Sequence, residues 1–282
     1  MTPTPARISS FTRDGLVFDI RDEGPIDGVP VVLLHGWPQD ARSWDRVAPL
    51  LHARGLRTLA PDQRGASPGA RPRWRWAYRS TQVDADVVAL IERAGLGPVH
   101  LVGHDWGAAV AWSVAADRPD LVRTLAAVSV PHPAAFARAM LTSNQIVKSW
   151  YMFAFQLPVL PEWLIRTGGR VRRHLLASGM SAEAADRDLE PMRDRARARG
   201  GLHWYRAIPF RRPWRVASRV SVPTLHVWSD RDTALGPKGA ALSSGYVDGP
   251  YRFEVLSGVS HWIPDEAPDQ LDALLGEHFR QA

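Results

Sequence analysis

Apolar and polar positions fall into two rhythms along the chain. Short apolar runs, many of them β-branched, occur at 16–20, 31–34, 58–60, 99–102, 125–130, 224–228 and 252–256. Nearly unbroken runs of this kind suit strands covered on both faces of a parallel sheet. Longer segments with helical periodicity separate them. The clearest is Ser80–Ala94, where Val83, Val87, Val88 and Ile91 recur on one face. Ser80 or Thr81 is placed to cap its start and Gly95 to end it. Alternation of the two patterns predicts βαβ units.

That rhythm stops after Val130 and resumes at Val222. From Pro133 to about Ser218 the chain holds only aromatic-rich and Arg-rich helical stretches, broken by Pro and Gly. The expected organisation is a parallel α/β core interrupted by a helical insertion of about 85 residues. The segment 64–76, rich in Arg, Pro and Gly, reads as a surface loop.

Composition narrows the picture. In 282 residues, 45% are apolar and 23% charged, which excludes a wholly disordered chain. With no cysteine there is no disulfide, thiolate metal site or thiol nucleophile. The first fifteen residues lack the apolar run of a secretory signal. The most apolar long stretch, 146–165, is interrupted by Lys148, Gln156, Pro158, Pro161 and Glu162, which argues against a membrane span. A soluble, cytoplasmic protein is expected, its oligomeric state unreadable.

The net charge of +6 is unevenly spread. Residues 134–217 hold 15 basic and 6 acidic residues, so that segment carries +9 and the remainder −3. Arg193, Arg195, Arg197 and Arg199 alternate with Ala and Asp and read as a solvated helix face or loop. No nucleic-acid motif accompanies them, so no nucleic-acid partner is expected.

The sharpest local signal runs from Val99 to Ala109. A β-run meets Gly103-His104-Asp105-Trp106-Gly107 and continues at once into an Ala/Val/Trp helix. This is the layout of a nucleophile elbow, a strand-to-helix turn that lifts one side chain above the sheet. By itself it could equally be a βα turn in which Asp105 caps the helix. Three further segments bear on the choice. The strand 31–34 runs into His35-Gly36-Trp37-Pro38. The strand 224–228 ends in Ser229-Asp230-Arg231-Asp232, at the sheet edge where parallel sheets bind ligands. The strand 252–256 leads to Gly258-Val259-Ser260-His261-Trp262. The order Asp105, Asp232, His261 matches the nucleophile, acid and histidine order of this architecture.

These motifs, with Asp62-Gln63-Arg64-Gly65, resemble the α/β-hydrolase-fold epoxide hydrolases, a group that also includes haloalkane dehalogenases. The resemblance covers nearly the whole chain from about Leu16. It implies a mostly parallel eight-stranded sheet with helices on both faces and a helical cap inserted after strand 6. The core would comprise 1–133 and 218–282, and the cap 134–217. Asp62-Gln63-Arg64-Gly65 resembles a structural loop without a chemical role.

An aspartate at the elbow suits attack on saturated carbon, because a carboxylate attacking a carbonyl would give only an anhydride. In that reading Asp105 is the nucleophile, His261 activates water and Asp232 orients the histidine. The backbone N–H groups of Trp37 and Trp106 would meet the oxyanion. No metal or organic cofactor is called for. The resemblance further implies that two cap tyrosines assist epoxide opening, and Tyr151 and Tyr205 sit in matching contexts. Trp37, Trp106, Phe153, Phe155 and Trp262 complete an expected aromatic wall for an apolar epoxide, which with water is the expected partner. A dehalogenase with the same triad and a non-catalytic ligand-binding protein are the alternatives. Against the dehalogenase, Trp37 stands where many carry a halide-binding Asn.

Overall fold

A computed structural model describes residues 6–210 and 218–281. Eight strands form one sheet: β1 Ser10–Arg13, β2 Leu16–Glu23, β3 Val29–Leu34, β4 Leu56–Pro61, β5 Val99–His104, β6 Val122–Val128, β7 Thr224–Ser229 and β8 Tyr251–Leu256. Their spatial order is β1-β2-β4-β3-β5-β6-β7-β8. β1 and β2 pair antiparallel, as do β2 and β4, and every later pairing is parallel. The expected α/β-hydrolase architecture is therefore present. All seven apolar runs fall in strands, but β6 begins and ends earlier than expected. β1 escaped notice because it has four polar-interrupted residues at the sheet edge.

Alternation along each central strand sorts its side chains to two cores. Val32 and Leu34 pack with Leu101, Trp112 and the helix Ser80–Ala94 on one face. Val31 and Leu33 pack with Val102, Leu225 and the C-terminal helix Pro268–Arg280 on the other. The helix Ser80–Ala94 has its expected bounds, and Gly95 ends it at φ 63. Its cap differs from expectation. Arg79 occupies that position and no side chain caps the N-terminus.

Between β6 and β7 the described residues contain no strand. Helices Pro133–Thr142, Gln145–Lys148, Trp150–Ala154, Leu160–Thr167, Gly169–Ala177, Ala182–Leu189 and Arg195–Arg206 follow one another. The expected boundary at 217 lies outside the described residues. Among those residues no helix is long and apolar enough to cross a membrane.

Two loop readings are corrected. In 64–76, Arg64, Ala66, Ser67 and Ala70 are buried, and only the later part, with exposed Trp74 and Trp76, lies at the surface as expected. Arg64 makes a bidentate pair with Asp86, at 2.7 Å to each oxygen, and Trp204 donates to the Arg64 carbonyl at 2.8 Å. In the arginine series, Arg193 and Arg195 are exposed, but Arg197 is buried. It donates to the carbonyls of Gln39 at 2.6 Å and Pro38 at 3.3 Å, tying the helical segment to the loop after β3. Charge periodicity cannot separate a solvated guanidinium from one that reaches buried carbonyls.

Asp86 also receives Arg13 at 2.7 Å, so it is the hub of a largely buried pair of guanidinium contacts. Asp86→Ala would leave the Arg64 charge buried without a carboxylate. Removing one member of such a pair costs about 3–5 kcal/mol. The midpoint of urea unfolding should fall accordingly, with the slope unchanged.

Candidate active site

The site is built at the carboxyl ends of β3, β5, β7 and β8. Asp105 follows β5 with φ 52 and ψ −122 and opens the helix Trp106–Asp117. A non-glycine residue in that region is strained and persists only where its surroundings hold it. They do so by close approach. A Cβ on Gly107 would strike the Leu34 carbonyl, and one on Gly36 would strike the Asp105 side chain. The glycines thus bring β3 and the helix against the turn. The Trp37 backbone N–H donates to Asp105 Oδ1 at 2.8 Å.

His261 lies between two carboxylates. Its Nδ1 is 2.6 Å from Asp232 Oδ2, and its Nε2 is 3.5 Å from Asp105 Oδ2. Asp232 Oδ1 accepts from the backbone N–H groups of Ala234 and Leu235, each at 2.8 Å. Asp232 and His261 are buried. Burial is the largest single influence on His261 and pushes its pKa down. The charge of Asp232, hydrogen bonds to both carboxylates and the charge of Asp105 outweigh it and hold the imidazole at about 10. Burial likewise acts to raise Asp105, but the His261 hydrogen bond and charge, then His104 and the Trp37 N–H, bring it below the ordinary carboxylate value.

Several supporting residues were missed by sequence reasoning. The His261 carbonyl accepts from His104 Nε2 and from Ser129 Oγ, both at 2.9 Å. Ser229 Oγ donates to the adjacent Ser260 carbonyl at 2.7 Å. His104 Nδ1 faces the Gln39 amide at 3.0 Å, and Gln39 donates to Asp265 at 3.2 Å. Burial keeps His104 neutral, with its pKa pushed down to about 4. The available signal was position: Ser129 and Ser229 lie at or just beyond strand ends, and His104 immediately precedes Asp105.

The helical segment closes over these groups. Tyr205 and Tyr151 have ring centroids 5.9 Å apart, and Tyr205 stacks edge-on to Trp106 at 5.0 Å and Trp37 at 5.7 Å. Phe155 lies 5.2 Å from Trp37 and 5.0 Å from Tyr205. Tyr205 is buried, with its ring edge-on against the Trp106 indole. Both phenols are raised above their ordinary value, first by burial and then by the charge of Asp105. The structure therefore brings Asp105, His261, Asp232, Trp37, Trp106, Tyr151, Tyr205 and Phe155 together.

Two expected wall residues are placed elsewhere. Phe153 is 58% exposed, on the opposite side of its short helix from Tyr151 and Phe155. Trp262 touches the His261 ring but joins Leu175, Met180, Ala184 and Leu189 in a separate buried cluster, and its indole donates to Ser178 at 2.9 Å. It packs the joint between the helical segment and the sheet.

Comparison with known proteins agrees with this fold. A family model described as alpha/beta hydrolase fold matches residues 29–268. The chain belongs to the alpha/beta hydrolase fold family. Epoxide hydrolase A of Mycobacterium tuberculosis is 32% identical, with 89% of this chain and 90% of that protein aligned. The AB hydrolase superfamily protein YfhM of Bacillus subtilis is 30% identical over 95% of this chain and 96% of its own. Among solved structures, one of novel epoxide hydrolases in metagenomes from hot environments has a TM-score of 0.82 at 30% identity, covering 94% of this chain and 95% of that one. Epoxide hydrolase A of Mycobacterium thermoresistibile has a TM-score of 0.79 at 26% identity, covering 96% and 97%. These relatives place this α/β hydrolase with the epoxide hydrolases of the family.

The pKa of His261 gives a direct test of the geometry. Asp105→Asn removes the Asp105 charge and weakens its hydrogen bond, so His261 should titrate below the parent's value of about 10. Imidazole ¹⁵N NMR across alkaline pH checks it, and an unmoved titration would leave Asp232 alone in control. The linkage has a definite sign. A folded pKa raised from 6.5 stabilises fully below 6.5 and is lost as pH rises toward 10. Parent stability should therefore fall more steeply from neutral to alkaline pH than that of the variant.

Proposed function

We propose that this enzyme opens an apolar epoxide to a vicinal diol through an ester on Asp105. The observation that carries the reading is a half-buried carboxylate at the elbow, bonded to the Trp37 N–H and facing His261, with two phenols packed over it. In the first step an Asp105 oxygen bonds to an epoxide carbon while the carbon–oxygen bond breaks toward oxygen. Tyr151 and Tyr205, kept neutral by burial, hydrogen-bond that oxygen as charge develops; one of them passes it a proton, so that it becomes a hydroxyl of the bound ester, and the phenolate is reprotonated at the expense of the His261 imidazolium.

The second step follows from the same electrostatics. Esterification removes the Asp105 charge, and with it two of the influences that hold His261 protonated. The imidazole can then take a proton from water, which attacks the ester carbonyl. The resulting oxyanion is met by the Trp37 and Trp106 N–H groups, and collapse releases the diol. Asp232 orients and charges the histidine throughout. In this reading 134–217 is a cap on a core of 1–133 and 218–282. The two phenols beside Trp37 and Trp106 favour the epoxide over a halide, since an epoxide oxygen needs hydrogen-bond donors as its ring opens and a halide needs no proton.

One single turnover in oxygen-18 water should give largely unlabelled diol, with the label in the protein; labelled diol would mean direct attack by water. His261→Gln should accumulate the ester, visible by intact mass. Tyr151→Phe and Tyr205→Phe should each slow ester formation, the loss of one preorganised donor being worth about 10²–10³ in rate. Ester hydrolysis should change little in either. Unaltered alkylation by styrene oxide in the double variant would remove the tyrosines from the mechanism.

A further inference from the structure

The outer face of the helical segment carries apolar side chains that no described residue covers. Ile146, Val147, Trp150, Phe153 and Leu157 recur every three or four residues along Gln145–Lys148, Trp150–Ala154 and the turn that follows. All are exposed, Val147 by 70% and Trp150 by 59%. The other side of the same turns is taken up by buried Gln145 and Ser149 and by Tyr151 and Phe155 at the site. The next helix adds exposed Leu160 and Trp163. Just before that helix Val159 has φ 66, with Leu160 N–H donating to the Pro158 carbonyl at 2.7 Å. This is a strained three-residue turn, and it holds a β-branched apolar side chain in solvent. Such a run exceeds the scattered apolar residues of an ordinary surface.

The charge on this segment has one sign. Residues 134–176 contain Arg138, Lys148, Arg166, Arg170, Arg172 and Arg173, against the single acid Glu162. Glu162 is already paired with Arg206, and Arg172 with Asp186. Arg138, Arg166, Arg170 and Arg173 are exposed and have no carboxylate partner among the described residues. The Trp150 ring lies 6.4 Å from His174, which sets the apolar face beside the helix Gly169–Ala177 that bears Arg170 and Arg173.

We propose that this face docks on the surface of a bilayer containing anionic phospholipid, its Trp and aliphatic side chains entering the interface between flanking arginines. Apolar side chains with Trp, bordered by unpaired cations, are what interfacial binding requires. Charge complementarity selects the occupant. A second copy paired about a twofold axis would set the same arginines against each other, which like-charge repulsion opposes. An anionic leaflet attracts each of them.

The test is co-sedimentation of the full chain with vesicles of phosphatidylcholine alone or mixed with phosphatidylglycerol, and it reads binding without depending on turnover. The chain should sediment with the mixed vesicles at least about tenfold more than with phosphatidylcholine, and be released as salt rises. Arg170→Glu/Arg173→Glu should lower that partitioning by at least about 25-fold, at about fivefold for each cation removed. Val147→Glu/Trp163→Glu should abolish it, while circular dichroism and melting temperature match the parent. A parent chain left in the supernatant with both vesicles, or bound equally to both, overturns the proposal. So does a parent that is dimeric in solution and becomes monomeric in Val147→Glu/Trp163→Glu, which would assign the face to a second copy.

Discussion

A buried imidazolium held between the buried Asp232 carboxylate and the half-buried Asp105 carboxylate sets the terms for everything around it. Taking three charges wholly or partly out of water is unfavourable unless each is bonded in good geometry. Each is. Asp232 accepts two backbone N–H groups besides His261, Asp105 accepts the Trp37 N–H, and the His261 carbonyl is fixed by His104 and Ser129. All of these donors sit at or just past the carboxyl ends of strands. The cluster therefore depends on the parallel sheet, which delivers four strand ends to one edge in fixed register. The strain at Asp105 follows from the same need, because only a sharp turn lifts its carboxylate to the imidazole.

Arginine joins the helical segment to that frame. Arg197 reaches the carbonyls beside Trp37, Arg187 bridges Asp188 and Asp265, and Arg206 holds the Phe155 and Leu157 carbonyls together with Glu162. A planar guanidinium with five donors can satisfy several acceptors at once, which an ammonium cannot do in the same geometry. The excess of arginine over lysine thus has structural work in part of the segment. Asp265 also receives Gln39, whose amide packs against the ring of His104, so a continuous line of contacts runs from the helix Ala182–Leu189 to the carbonyl of His261.

What could be read from the sequence was whatever depends on local periodicity or on a motif with a fixed mechanism. The apolar runs located the central strands, and the loss of their rhythm located the helical segment. Asp105 was legible because a glycine-flanked strand-to-helix junction has few other uses once Asp232 and His261 follow in order. Side-chain destination was not legible. Phe153 and Phe155 are two residues apart in one aromatic run, yet the short helix turns one outward and the other to Trp37. Trp262 touches the ring of His261 but buries the rest of its surface in a cluster of its own. Arg64 and Arg197 look like surface charge until the buried acceptors they meet are known. Those outcomes depend on partners far along the chain, and a single sequence does not contain the distances.

The helices Gln145–Lys148 and Trp150–Ala154 show why that ambiguity concentrates in the helical segment. A helix apolar on all sides is ordinarily one buried on all sides. Apart from Gln145, Lys148 and Ser149, these turns carry apolar side chains on both sides because two different surfaces meet on them. Tyr151 and Phe155 supply the inner face, where Trp37 and Tyr205 fix them by ring contacts. Val147 and Trp150 supply an outer face that no packing within the described residues accounts for. The helices are too short to be stable by themselves, since nucleation dominates below three turns. They are held by bonds at their edges, from Gln145 to the Ala234 carbonyl and from Arg206 to the carbonyls of Phe155 and Leu157. With the backbone secured in that way, the outer side chains are under no demand from the fold, and their apolar character calls for a reason outside it.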